Sequence, residues 1–162
     1  MGLESGSQGV LDRLGKSSSV EEMIDAVNRA AKAGIKSSVI VLLGLGGKKH
    51  SGEHVKGTVA ALNRMQPRYL SFLSVMVIPG TPLAEEVRRG EFEELDPVEL
   101  LKESYDIIKE LELKKTVFRS NHASNYLALE GTFPKDKTRL LNIMESAIGG
   151  EIRLRPESLR GL

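Results

Sequence analysis

Ser38-Val39-Ile40-Val41-Leu42-Leu43, followed by Gly44-Leu45-Gly46-Gly47-Lys48-Lys49, decides how the chain is read. A continuous apolar run rich in β-branched residues suits a parallel strand buried on both faces. The glycine-rich stretch behind it reads as a flexible loop at the C-terminal end of that strand. Upstream, Ser19-Val20-Glu21-Glu22 has the capping-box pattern that starts a helix. Val20, Met23, Ile24, Val27 and Ala31 follow at helical spacing, and Gly34 stops the helix. Downstream, a helix is expected over 53–65, with Val55, Val59 and Leu62 inward and Pro67 closing it.

The same alternation continues. Tyr69 to Ile78 reads as a second strand, ended by Pro79-Gly80-Thr81-Pro82, with a short helix to about Arg89. Asp96-Pro97-Val98-Glu99 starts another helix, with a capping Asp and Pro at its first position. That helix carries Leu100, Leu101, Ile108 and Leu111. Lys115 to Phe118 reads as a third strand, Arg119 to Asn125 as a polar loop, and 135–148 as a last helix before Gly149-Gly150. Alternating helices and buried strands imply a parallel sheet with right-handed crossovers. The expected fold class is therefore α/β: half of a parallel partial (βα) barrel, with about three parallel strands. We divide the chain into 1–150, the half-barrel, and 151–162, a mixed basic tail without an assigned element.

Composition narrows the function classes. The 162 residues carry a formal net charge of +1, so charge alone argues for neither nucleic acid nor a membrane surface as partner. No apolar run approaches the ~20 residues of a membrane span, and no secretory signal pattern opens the chain. A cytoplasmic location is expected. The chain has no cysteine, which removes disulfides, thiolate metal sites and cysteine nucleophiles.

Three stretches carry candidate chemistry. Gly44 to Lys49 lies at a strand's C-terminal end, where ligands bind in α/β sheets. Its glycines and two lysines suit a phosphate, although the spacing matches neither nucleotide-binding fingerprint. A non-catalytic anion- or nucleotide-binding module follows as an alternative reading. His50-Ser51-Gly52-Glu53-His54 matches H-x-x-E-H, the spacing of a zinc hydrolase. Gly52 and the missing third ligand make a solvated helix N-terminus the preferred reading there. Arg119 to Asn125 gathers Arg, His, two Asn and two Ser after a strand, a composition suited to substrate recognition.

Four segments, taken in order, carry a family resemblance: Gly2-Leu3-Glu4-Ser5-Gly6-Ser7, Val10 to Lys16, Val41 to Gly47, and Val77-Ile78-Pro79-Gly80-Thr81-Pro82. Over roughly residues 2–85 the chain resembles the second half of radical S-adenosylmethionine enzymes. The group is that of the Elongator catalytic subunit, the methylthiotransferases and oxygen-independent coproporphyrinogen oxidase. The resemblance implies a partial barrel whose first half holds a 4Fe–4S cluster on three cysteines, and a cofactor, S-adenosylmethionine, cleaved to a 5′-deoxyadenosyl radical.

Carried onto this sequence, the resemblance implies cofactor-binding roles for seven residues. Glu4 and Ser5 would reach the ribose, and Lys16 the methionine carboxylate. Gly44, Ile78, Pro79 and Gly80 would lie near adenine. Arg119, Asn121, His122 and Asn125 are the candidate substrate residues, for a small-molecule or macromolecular substrate. The usual Gly-x-Pro-Gly-Glu after the fifth strand stands here as Gly44-Leu45-Gly46-Gly47-Lys48, without its Pro and Glu. Residues 2–7 then correspond to the loop after the fourth strand. Strands one to four and the cluster loop would lie outside this sequence, as in a truncated or split gene product, so this fragment alone is expected to be inactive. Self-association through an exposed sheet edge is the further expectation.

Overall fold

A computed structural model describes residues 1–161; Leu162, the last residue of the expected tail, lies outside the described residues. The strands are β1 (Gly2–Glu4), β2 (Ser38–Leu43), β3 (Tyr69–Ser74), β4 (Val117–Ser120) and β5 (Leu129–Thr132). They form one sheet in the order β1-β2-β3-β4-β5. The first four are mutually parallel, and β5 returns antiparallel against β4. The helices are α1 (Gln8–Arg13), α2 (Val20–Lys32), α3 (Gly47–Met65), α4 (Pro82–Arg88), α5 (Pro97–Glu110) and α6 (Lys137–Ile148). Parallel strands taken in sequence order with right-handed crossovers put every connecting helix on one face. That is the winding of a barrel wall.

Burial agrees with a wall that has two unlike faces. Leu3, Val39, Val41, Leu43, Leu70, Phe72 and Phe118 are buried under the helix layer. Phe72, Phe118 and Phe133 stack edge to face there, with centroids 5.0 and 5.7 Å apart. Their neighbours Ile40, Leu42, Ser71 and Leu73 point to the other face and are half-buried, while Arg119 is exposed. The register aligns Gly2, Ile40, Ser71, Arg119 and Glu130 in one row across that open face. Both-sided burial of 38–43 is thus corrected: the strand is covered by helices on one side only.

Ser19 and Glu22 form the capping box of α2, and Asp96 and Glu99 that of α5. Other boundaries moved. Residues 2–4 are a strand rather than part of the expected loop. The parallel strands number four, not three, and β5 is additional. α3 begins at Gly47, with a break at His50, so half of the expected flexible loop, 47–49, is helix. β4 extends to Ser120 and takes Arg119 out of the polar loop. In α3 the buried stripe is His54, Thr58, Ala61, Leu62 and Met65, with Val55 and Val59 half-buried beside it. Ala31 of α2 is exposed.

The tail is folded back onto the sheet's C-terminal rim. Arg160 donates to the carbonyls of Ser124 (2.7 Å) and Val75 (3.2 Å) and lies 4.2 Å from the centre of the Tyr126 ring. Arg155 reaches the carbonyls of Ala123 (2.8 Å) and Asn125 (3.1 Å). Among the described residues no helix is long and apolar enough to cross a membrane.

Candidate functional site

The C-terminal ends of β1 to β4 converge on one rim, the end of a parallel sheet where ligands bind. Four segments build it: Ser5–Ser7, Gly44–Gly47, Val75–Gly80 and Asn121–Asn125. The first is fixed by contact with α3. The Gly6 amide donates to Thr58 Oγ1 at 3.0 Å, and a Cβ on Gly6 would lie 2.3 Å from the Gly57 carbonyl oxygen. Two glycines therefore let the chain cross the helix at backbone contact. Ser7 then caps α1.

Glu4 sits at the turn with φ of 59°, a left-handed conformation uncommon for a non-glycine residue. Lys16 Nζ lies 3.5 Å from Glu4 Oε1 and also donates to the Gly2 carbonyl. Both side chains are about a quarter exposed (25% and 28%), so the pair is reachable from solvent. It stands at the open side of the sheet's edge strand.

Ser5 follows Glu4 but faces the other way. It is fully buried, and its hydroxyl lies 2.8 Å from His54 Nδ1 while accepting the Ser7 amide at 3.0 Å. Gly44, at φ of 81°, donates its amide to Glu103 Oε1 at 2.6 Å. Glu103 Oε2 accepts the Ser51 hydroxyl, and Glu103 Oε1 is 3.8 Å from His54 Nε2. Burial pushes the His54 imidazole down to about 4, and burial likewise pushes the Glu103 carboxyl up. Both groups are thereby held toward their neutral forms.

The other rim residues divide similarly. Ile78 is half-buried, and Pro79 and Gly80 are exposed; the Ile78 carbonyl accepts the Thr81 hydroxyl at 2.7 Å. Asn125 is buried and joins β3 to β4: its amide donates to the Phe72 carbonyl (2.7 Å), and it accepts the Ser74 hydroxyl (2.9 Å). Arg119, Asn121 and His122 are exposed. Arg119 lies 3.7 Å from Glu130 on the open face, and His122 Nδ1 lies 2.9 Å from Ser124 Oγ. Arg119 and Asn125 thus lie on opposite faces of the sheet.

The H-x-x-E-H residues do not converge. His50 lies 3.4 Å from Glu53, whereas His54 is buried toward Ser5, so His54 is no part of a solvated helix end. Among the described residues no group of three His, Asp or Glu is placed to hold a metal ion. The phosphate reading of Gly44–Lys49 meets occupied donors. The amides of Gly44, Gly47 and Lys48 bond Glu103, the Gly44 carbonyl and the Glu93 carbonyl, and Lys48 Nζ pairs with Glu93 at 2.9 Å.

Ser51, Glu103 and Arg160 had no assigned role in the sequence. A signal for Glu103 existed: it sits on the buried stripe of α5 with Leu100, Ser104 and Ile107. His54 lies on the equivalent stripe of α3.

No family model matches the chain, and no curated protein matches it. It does superpose on a solved structure of archaeal Elp3 from Methanocaldococcus infernus that lacks N-terminal residues 1–46. The TM-score is 0.59 at 19% identity, over 98% of this chain and 36% of that one. At such identity the likeness shows a shared fold alone. The chain spans about a third of the length of the Elp3 chain it matches.

Proposed function

We propose that this chain forms the nucleoside-facing part of a radical S-adenosylmethionine enzyme. The observation that carries the reading is the Glu4–Lys16 pair, held by a left-handed backbone at the C-terminal rim of a singly wound parallel sheet. The Elp3-like fold supports it. Bound S-adenosylmethionine supplies a 5′-deoxyadenosyl radical when an iron–sulfur cluster reduces it. The residues here do not fit the cluster itself. There is no cysteine among the 162, so its thiolates have to come from outside them.

The chain's own part is binding and orientation. The Lys16 ammonium is suited to the methionine carboxylate by a charge-assisted hydrogen bond. The Glu4 carboxylate is suited to accept from the ribose hydroxyls. The backbone at Gly44 and at Ile78, Pro79 and Gly80 borders the adenine side. Ser5 serves from behind, since its hydroxyl is bonded to His54. Arg119, Asn121 and His122 stand exposed where a substrate would approach, and Asn125 fixes the strand ends beneath them.

Calorimetric titration of the chain tests this, using S-adenosylmethionine, 5′-deoxyadenosine and inorganic phosphate. We expect weak binding of the first two and none of phosphate. Lys16→Ala should weaken S-adenosylmethionine about tenfold, a loss of roughly 1.4 kcal/mol, and leave 5′-deoxyadenosine unchanged. Binding of phosphate without preference for the methionine group would instead favour the anion-binding module.

A further inference from the structure

The helix layer contains a buried polar cluster that no binding role so far accounts for. Ser5, His54 and Glu103 are exposed by 0%, 0% and 2%. They come from three elements, namely the loop after β1, α3 and α5, and Glu103 adds a fourth by holding Gly44 after β2. Buried polar groups are costly unless partnered. Apolar residues could fill these positions, so a structural use for the polar ones is sought in their bonding.

The bonding order gives one. Ser5 Oγ accepts the Ser7 amide at 3.0 Å and is hydrogen-bonded to His54 Nδ1 at 2.8 Å. His54 Nε2 itself has no hydrogen-bond partner; Glu103 Oε1 lies 3.8 Å from it, across a gap too long for a hydrogen bond. Glu103 divides its two oxygens between the Gly44 amide and the Ser51 hydroxyl. Two hydrogen-bonded segments, Ser7–Ser5–His54 and Gly44–Glu103–Ser51, thus meet on α3, which carries both His54 and Ser51.

We propose that His54 and Glu103 are positioning residues that lock the loops after β1 and β2 to each other through the helix layer. Anchoring Ser5 inward fixes the left-handed turn at its neighbour Glu4, beside Lys16. Anchoring the Gly44 amide sets the turn that closes with the Gly47 amide on the Gly44 carbonyl at 3.0 Å. The loops are thereby set jointly. What the rim then binds rests on the function proposed above; the coupling of the loops does not.

The test is amide hydrogen exchange on the full chain carrying Glu103→Gln, which keeps the shape but not the double acceptor. Gly44 reports one loop and Ser7 the other. Both amides should exchange about tenfold faster while the β2 and β3 amides keep their rates, which separates local release from global unfolding. Affinity for S-adenosylmethionine should fall about tenfold in the same variant. Release of Gly44 with Ser7 at its original rate overturns the coupling. Unchanged affinity with both loops released overturns the positioning role. Should the wild-type chain bind no S-adenosylmethionine, the proposed function fails, and joint release of the two amides still upholds the coupling. If Glu103→Gln does not fold, Ser51→Ala removes one of the two donors to the carboxylate. The two amides should then respond together and more weakly, and a response at Gly44 alone overturns the coupling.

Discussion

Gly57→Ala should destabilise the protein although it improves the intrinsic preference of a helix. Gly57 lies inside α3, away from both ends, and neither it nor Gly6 has a positive φ. Alanine in an exposed helix interior is better than glycine by roughly 0.5–1 kcal/mol. Here a Cβ would lie 2.5 Å from the Gly6 carbonyl oxygen, 2.6 Å from its carbon and 2.7 Å from the Ser7 nitrogen. All three are backbone atoms, so no flexible side chain can yield. Overpacking costs about 1–3 kcal/mol; set against the propensity gain, this gives an expected net loss of roughly 1 kcal/mol. At this chain length that lowers Tm by about 2–4 °C. Gly52 supplies an internal control, because it lies in the same helix with nothing within 4 Å of its would-be Cβ. Gly52→Ala should stabilise by roughly 0.5–1 kcal/mol. Urea unfolding of the two variants gives opposite signs if the backbone crossing is as described. Equal signs, or a Gly57→Ala variant as stable as wild type, refute the reasoning. The crossing also carries Glu4 and Ser5, so Gly57→Ala should disturb ligand binding where Gly52→Ala does not.

Two further outcomes follow from buried groups. The unfolded chain protonates His54 near its ordinary 6.5, whereas burial holds the folded group down to about 4, so its contribution to stability is lost as pH falls across that window. Glu103 runs oppositely, since its raised folded value means that stability declines as pH rises above about 4.5. His54→Gln should therefore lose less urea stability than wild type between pH 7 and pH 5, and an equal loss in both proteins contradicts the assignment. Arg160→Ala should cost about 2 kcal/mol in urea unfolding, because it leaves the carbonyls of Ser124 and Val75 short of a charged donor. Arg160→Lys should not restore the loss, since an ammonium cannot reproduce the planar fork or the stacking on Tyr126; full rescue by lysine is the adverse result.

What was legible in the sequence depended on whether an element carries its own cause. β2, β3, α2 and α5 do: their apolar runs and capping boxes lie within a few residues of each other. β1 and β5 do not. Gly2-Leu3-Glu4 and Leu129-Glu130-Gly131-Thr132 have little strand propensity and become strands because β2 and β4 offer them an edge. α1 is likewise a single short turn of helix set by the Ser7 cap. The buried cluster at the rim was illegible for a related reason. Ser5 and His54 are separated by 49 residues, and Gly44 and Glu103 by 59, so no local pattern joins them.

The two faces of the sheet explain why the candidate site residues separate as they do. In a strand, successive side chains alternate between the two faces of the sheet. One of a neighbouring pair meets the ligand face, and the other meets the helices. Arg119 and Ser120 divide in this way in β4, where Ser120 is buried and Arg119 exposed, whereas past the end of β1 the left-handed turn at Glu4 precedes a Ser5 buried among the helices. On the helix side Ser5 is partnered by His54 and Ser120 by Asn125, while His54 Nε2 and Ser104 Oγ have no hydrogen-bond partner. The partnered polar groups of the helix layer are thus the other half of the rim's design. Each one accounts for where a rim loop turns, and each is a place where a change distant from the open face would move it.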